Sequence, residues 1–315
     1  LMLGRLTQDA VAAVSLANQI SFIMNLFSGA VIGGGGALLA QYWGKGDQRM
    51  VKNIFCTLMK WAFGISLVFF SLAMFAPTAL MRIYTPDAAL IEIGASYLRA
   101  VSVSYLFVGV TQCYFLVMKL EGKAPKSVMI SVVTLITDVV LDFFLIYGVA
   151  GVPKLGANGS AYSTVVVELV ALVWCIVESH RGENVRPDLA GLKWFSADIT
   201  KDLFKIALPM LGSSLAWGLG FSMHSLIMGH LGSDATAAAS IASVAQELIT
   251  CVCKGISAGA GIMIGKLLGQ SLFDKAKEYG RRLCRVSFWT GGIHMALLCI
   301  LGPIVAEFFV LSEVA

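Results

Sequence analysis

The chain has 315 residues, of which 57% are hydrophobic and only 13% charged, and its mean hydropathy is +0.81. A soluble domain carries about 25% charged residues, so this composition excludes an ordinary soluble protein and points to a lipid bilayer as solvent. The net charge of +4 says little by itself; no nucleic-acid partner is expected, and the placement of the charges is more informative.

Taken in chain order, eight membrane-spanning helices are predicted over residues 10–42, 53–80, 90–118, 127–147, 157–178, 203–228, 235–264 and 281–310. Each is long enough to approach or exceed the roughly 20 residues that cross a hydrocarbon core, and together they are too long and too recurrent for a signal peptide. Their uniform apolarity fits helices, which satisfy their own backbone groups in lipid, rather than the alternating strands of a barrel. Residues 1–6 read as the tail of an earlier span, and the chain closes just after a span; a fragment cut at both ends is therefore expected.

The first span has no charged residue between Asp9 and Lys45 and contains the run Gly33-Gly34-Gly35-Gly36. Gly29 and Gly33 form a GxxxG pair, as do Gly255 and Gly259, a spacing that lets membrane helices approach closely. No Lys-Ser/Thr follows the glycine run, so it is not a phosphate loop. The seven cysteines include no CxxC pair and read as small apolar residues.

Loop charges set the orientation. Four alternate loops, around Lys45–Lys52, Lys119–Lys126, Arg181–Lys205 and Lys266–Arg285, hold seventeen of the 23 Lys and Arg, whereas the opposite loops hold Arg5, Arg82 and Lys154. The basic loops are expected in the cytoplasm and the protein in the plasma (cytoplasmic or inner) membrane. The longest polar stretch, Glu178–Asp202, reads as a linker between two halves.

Gly4-Arg5-Leu6-Thr7-Gln8-Asp9-Ala10 returns as Gly229-His230-Leu231-Gly232-Ser233-Asp234-Ala235, an offset of 225 that still holds at Gly34/Gly259, Gly44/Gly269 and Lys52/Lys277. So long a period is a duplicated domain rather than a solenoid repeat. Six spans separate the two copies, an even number, so the copies share one orientation: the expected fold is an all-α integral membrane protein of two pseudo-symmetric, parallel-repeat helical bundles, as in a transporter.

Asp138 and Asp142 lie in the otherwise apolar span 127–147. Ionisable groups at membrane depth are costly and normally face protein or water. Helical spacing puts Ser127, Ser131, Thr134, Asp138 and Asp142 on one face, and Ser160, Thr164 and Glu168 on one face of the next span. Counting inward from the loop at Gly148–Gly156 at about 1.5 Å per residue puts Asp142 roughly 9 Å deep, Asp138 roughly 15 Å, Thr164 about 12 Å and Glu168 about 18 Å. Two facing polar stripes with three carboxylates suit a proton or a small hard cation such as Na⁺, and two acids one turn apart titrate as a unit. The competing reading is that these acids only bond neighbouring hydroxyls and fix packing.

The doubled LGRLTQDAVAAVS/MGHLGSDATAAAS element, AQYWGKGD, KLEGKAPKSVM, DVVLDFFLIYG and LGANGSAYST, in this order and spacing, resemble the multidrug and toxic compound extrusion (MATE) family of cation-coupled antiporters over essentially the whole chain. The resemblance implies that residues 1–6 end helix 1 and that the eight spans are helices 2 to 9. Residues 1–180 then form the N-terminal bundle, 181–202 a cytoplasmic linker and 203–315 part of the C-terminal bundle. It further implies a cavity for amphipathic organic cations, exported by rocking of the bundles against inward H⁺ or Na⁺. Asp142 matches a coupling-ion acid, Thr164 a polar residue of the same pocket, and Asp138 a position often occupied by Asn. A helix-1 acid of that pocket falls before residue 1. Another branch of the family has a coupling Glu in helix 7, where this chain has Trp217 and no acid.

The expected site is thus Asp142, Asp138, Thr164 and Glu168 for the coupling ion, with any Na⁺ at Asp142 and no other metal or cofactor. Trp217, Phe221 and Met223 are candidates for the cavity wall through cation–π and soft contacts, with interhelical or lipid packing as the alternative. Glu247 and Lys254 share a face of the span 235–264 and pair with other groups or line the cavity. A monomer in lipid with a small organic cation as substrate, and no catalytic residue, is expected. A flippase of the same superfamily is the nearest alternative, disfavoured because acids outnumber Arg99 and Lys254 within the spans. A membrane prenyltransferase would need a second Asp motif facing the first and basic residues on the diphosphate, and the 225-residue duplication has no place in that fold.

Overall fold

The computed structural model describes residues 8–148, 155–181, 185–187, 197–231 and 233–308. Among them the regular elements are all helices: α1 Gln8–Lys45, α2 Gln48–Phe75, α3 Pro77–Tyr84, α4 Ala88–Leu120, α5 Ala124–Tyr147, α6 Ala157–Ser179, α7 Ala197–Leu231, α8 Ser233–Gly269 and α9 Phe273–Phe308. All but α3 are long and apolar enough to cross a membrane. The predicted tail at 1–6 lies outside the described residues.

One predicted span is shorter than expected. The run 53–80 divides at Ala76, because Pro77 has no N–H to continue α2 and instead starts α3 at its first position. The short α3 buries Pro77 and Met81. Asp87 then caps α4, its carboxylate accepting the Ala89 N–H at 2.9 Å.

The chain divides into two compact units. The first comprises Leu1–Leu39 and Gln48–Leu211. Its hub is α4, which packs on α2, α3, α5 and α6. The core around it is built from Val14, Ile20 and Met24 of α1, Met81 of α3, Leu98 and Val101 of α4 and Ala161 of α6. Polar groups in this core are paired: Tyr97 Oη donates to Asn18 Oδ1 at 3.4 Å, and the Tyr105 and Ser21 hydroxyls share a 2.9 Å hydrogen bond. By contrast α5 is thinly covered, with Val128, Leu135, Ile136 and Val139 exposed, and its buried residues are Ser127, Ile130, Thr134 and Ile146.

The second unit comprises Ala40–Asp47 and Gly212–Ala315. Within it the sequence duplication is visible as packing. A Cβ on Gly44 would lie 2.1 Å from the Lys266 carbonyl oxygen, and one on Gly269 would lie 1.8 Å from that of Gln41. Positions 41 and 266, like 44 and 269, are equivalent at the offset of 225, so the two contacts are equivalent copies related by a local pseudo-twofold rotation. Lys266 Nζ sits 5.8 Å from the centre of the Trp43 ring. Because backbone rather than a flexible side chain occupies the space, Gly44→Leu and Gly269→Leu are each expected to cost about 3 kcal/mol or more. The check is the thermal midpoint of the purified protein in detergent, which should fall by a similar amount for both.

Candidate coupling-ion site

The site forms where α5 and α6 meet. At that end α5 stops at Gly148, whose N–H bonds back to the Phe144 carbonyl at 3.0 Å. The Leu155 N–H returns to the Leu145 carbonyl at 3.0 Å, which brings the start of α6 against the last turn of α5. Gly159 makes the approach possible: a Cβ there would fall 2.7 Å from both the carbonyl carbon and oxygen of Leu145. This contact fixes the register of the two helices, and one turn further along α6 it sets Ser163 opposite Asp142.

Ser163 is fully buried, and its hydroxyl donates to Asp142 Oδ1 in a short hydrogen bond. Asp138, one turn along α5, lies within reach of the same Ser163 hydroxyl, but a single hydroxyl proton cannot serve two carboxylates. Asp138 Oδ1 is buried without a hydrogen-bond partner among the described residues. A buried acceptor without a donor is costly. Glu168 of α6 interacts electrostatically with Asp138, and Tyr97 of α4 lies close enough to feel both aspartates. The structure therefore brings the three predicted carboxylates together.

Thr164 is placed differently from its neighbour. Its Oγ1 donates to the Ser160 carbonyl at 2.9 Å, the usual back-bond of a helical threonine; Ser163 Oγ lies at the same distance from that carbonyl but also reaches Asp142. Two groups escaped the sequence reading. Ser163 lies three residues after Ser160, and i, i+3 positions share a helix face as i, i+4 positions do; a stripe drawn only at i+4 steps passes over it. Tyr97 stands on another helix and left no local signal. Ser163→Ala is expected to weaken apparent coupling-ion affinity about tenfold, the usual cost of one hydrogen bond to a charged group. Ion-dependent thermal stabilisation of the wild-type and variant proteins measures it.

The candidate cavity residues belong to the second unit. Trp217 and Phe221 stack at 5.7 Å between ring centres with planes 18° apart, and both are exposed. Met223, two positions after Phe221, stands on the other side of α7. Lys254 Nζ and Glu247 Oε2 of α8 form an ion pair at 2.8 Å. Cys56, Cys113 and Cys175 are buried, while Cys251, Cys284 and Cys299 are exposed.

Known proteins now give this geometry its family. The model described as MatE matches residues 1–144 and 209–314. The chain belongs to the MATE family. Among MATE relatives, the uncharacterized transporter YisQ of Bacillus subtilis is 23% identical over 94% of the chain. The probable multidrug resistance protein YoeA of the same organism is 22% identical over 97%. The chain spans 64% and 66% of the lengths of these two relatives. A crystal structure of a MATE transporter in complex with MaD5 superposes with a TM-score of 0.87 at 18% identity, covering 98% of this chain and 70% of that one, a likeness of fold. The chain is therefore a multi-pass membrane protein of the MATE family, a family of transporters rather than enzymes, and the prenyltransferase alternative is set aside.

Proposed function

We propose that the protein is a secondary antiporter that exports amphipathic organic cations in exchange for inward H⁺ or Na⁺, with the coupling ion held between α5 and α6 in the first unit. The observation that carries this reading is the asymmetry of the two aspartates. Asp142 accepts the Ser163 hydroxyl, whereas Asp138 Oδ1 has no partner among the described residues. Binding one proton or cation between the two acids, with Asp142 as the essential ligand, neutralises a carboxylate pair that is expensive at membrane depth, and an empty pair is expensive to move. Loading therefore favours one conformation and release the other, which is the differential affinity a coupled carrier requires.

Asp142, Asp138 and Glu168 act as ligands, with Ser163 as the hydroxyl partner and Thr164 behind them. The Trp217–Phe221 face offers the flat aromatic surface that suits a delocalised cation. On this reading the protein works as a monomer in the inner membrane, its basic loops in the cytoplasm. A flippase would need free basic side chains for phosphate in the spans, and Lys254 is already paired with Glu247.

The test is ethidium efflux from cells expressing the protein, with the proton gradient and sodium varied separately. Collapse with a protonophore and indifference to sodium would assign protons to the Asp138/Asp142 pair. Dependence on sodium would make it a metal-ion site. No efflux under either condition would overturn the proposed substrate class.

A further inference from the structure

A second cluster of buried carboxylates, remote from the ion site, lies at the opposite end of the same helices, where α4, α5 and α6 meet the connector to α7. Glu121, the C-terminal cap of α4, has a side chain only 5% exposed. Its Oε1 accepts the backbone N–H of Val185 at 2.7 Å, and its Oε2 pairs with Lys123 Nζ at 2.9 Å. Glu178, in the last turn of α6, is likewise buried and pairs with Lys126 of α5. Val185 is itself buried. Beside it the Arg186 guanidinium donates to the Ser179 and His180 carbonyls at 3.1 Å each, satisfying acceptors that the end of α6 leaves without a helical partner.

All four paired charges stand where the helix dipole disfavours them. Glu121 and Glu178 are anions at helix C-termini; Lys123 and Lys126 are cations in the cap and first turn of α5. A helix by itself prefers the reverse arrangement. Local helix stability therefore does not explain these residues, and their worth lies in the cross-links between elements.

We infer that Glu121 is a positioning residue that docks the connector: through the Val185 amide, and with Arg186 on the end of α6, it makes residues 185–187 travel with α4–α6, and turnover depends on that docking. Arg186 grips the last carbonyls of α6, and α6 carries Ser160, Ser163 and Glu168. Ser163 stands sixteen residues upstream of Ser179, about 24 Å along a rigid helix. Any displacement of the connector is thereby delivered to the helix that holds the ion. The docking stands on geometry alone; its role in turnover rests on the transport reading above.

The experiment uses the whole protein in lipid nanodiscs and in cells. Trypsin cleavage is followed after Arg181, with cleavage after the exposed Lys275 and Lys277 at the start of α9 as an internal reference. Glu121→Ala removes the acceptor of the Val185 N–H; Glu121→Gln keeps an acceptor and removes the charge. The expected result for Glu121→Ala is cleavage after Arg181 about tenfold faster with the reference unchanged, the usual effect of removing one buried hydrogen-bond partner. Its maximal export rate should fall about tenfold with the half-saturating ethidium concentration unchanged, while Glu121→Gln stays near wild type in both readouts. Unchanged cleavage after Arg181 overturns the docking, and faster cleavage with full export overturns its role in turnover. If Glu121→Ala raises cleavage at the reference sites too, Glu121→Gln decides, and a loss as large as that of the alanine variant overturns the proposal. A wild-type protein that exports no ethidium removes the transport reading but leaves the cleavage result to stand or fall alone.

Discussion

Asp142→Asn is expected to abolish export, at least a hundredfold, while leaving the protein folded and inserted. Asparagine has the shape of aspartate, and its Oδ1 still accepts the Ser163 hydroxyl that Asp142 accepts in the structure; packing between α5 and α6 is therefore kept. It has no charge to give a cation and no site for a transported proton, so the step that depends on loading is lost. Asp138→Asn makes the contrast sharp. Its Oδ1 has no donor to lose, and asparagine is often found at this position in the family that the sequence resembles, so export should persist with ion affinity altered by no more than about tenfold, a single charge-assisted contact. Efflux assays of the two variants at matched membrane levels measure both. Normal export by Asp142→Asn would sink the assignment of the coupling site.

The second large effect is expected from Gly159→Leu, a residue with no polar group at all. The new Cβ would meet the Leu145 carbonyl at 2.7 Å, and because both contacting atoms are backbone, α6 must move as a body rather than a side chain turning aside. Overpacking of this kind costs about 1–3 kcal/mol, occasionally more. Its functional cost is larger than its stability cost, because Ser163 lies only one turn away and hydrogen bonds weaken steeply once distance and angle are lost. The variant should still reach the membrane, with a lower thermal midpoint and no stabilisation by the coupling ion. Retention of the full ion-dependent thermal shift would mean that the helix register does not depend on Gly159.

The duplication and the length of the apolar runs announced a helical membrane protein because both are carried by the chain one residue at a time: a span needs enough consecutive apolar residues, and a repeat needs only an offset. The carboxylates were legible for a similar reason, since a charge in such a span is conspicuous wherever it points. What broke the reading was local chemistry at Pro77, where a missing N–H ends α2 and starts α3, an effect that hydrophobic counting does not register.

The donor to Asp142 shows where sequence reasoning stops. Ser163 and Thr164 are adjacent and chemically alike, and helical periodicity allows either on the polar face; both hydroxyls contact the Ser160 carbonyl of their own helix, and the close approach at Gly159 decides that Ser163 is the one that meets the carboxylate. Likewise no sequence pattern singles out Glu121 or Glu178, which folding buries against Val185 and Lys126. Sequence by itself determined the solvent, the span pattern, the repeat and the acids, all of which follow from hydrophobicity and periodicity along one chain. Only the tertiary structure decided which hydroxyl serves which acid, which oxygen is left without a partner and what the helix ends hold, because those depend on distances between helices that no single helix specifies.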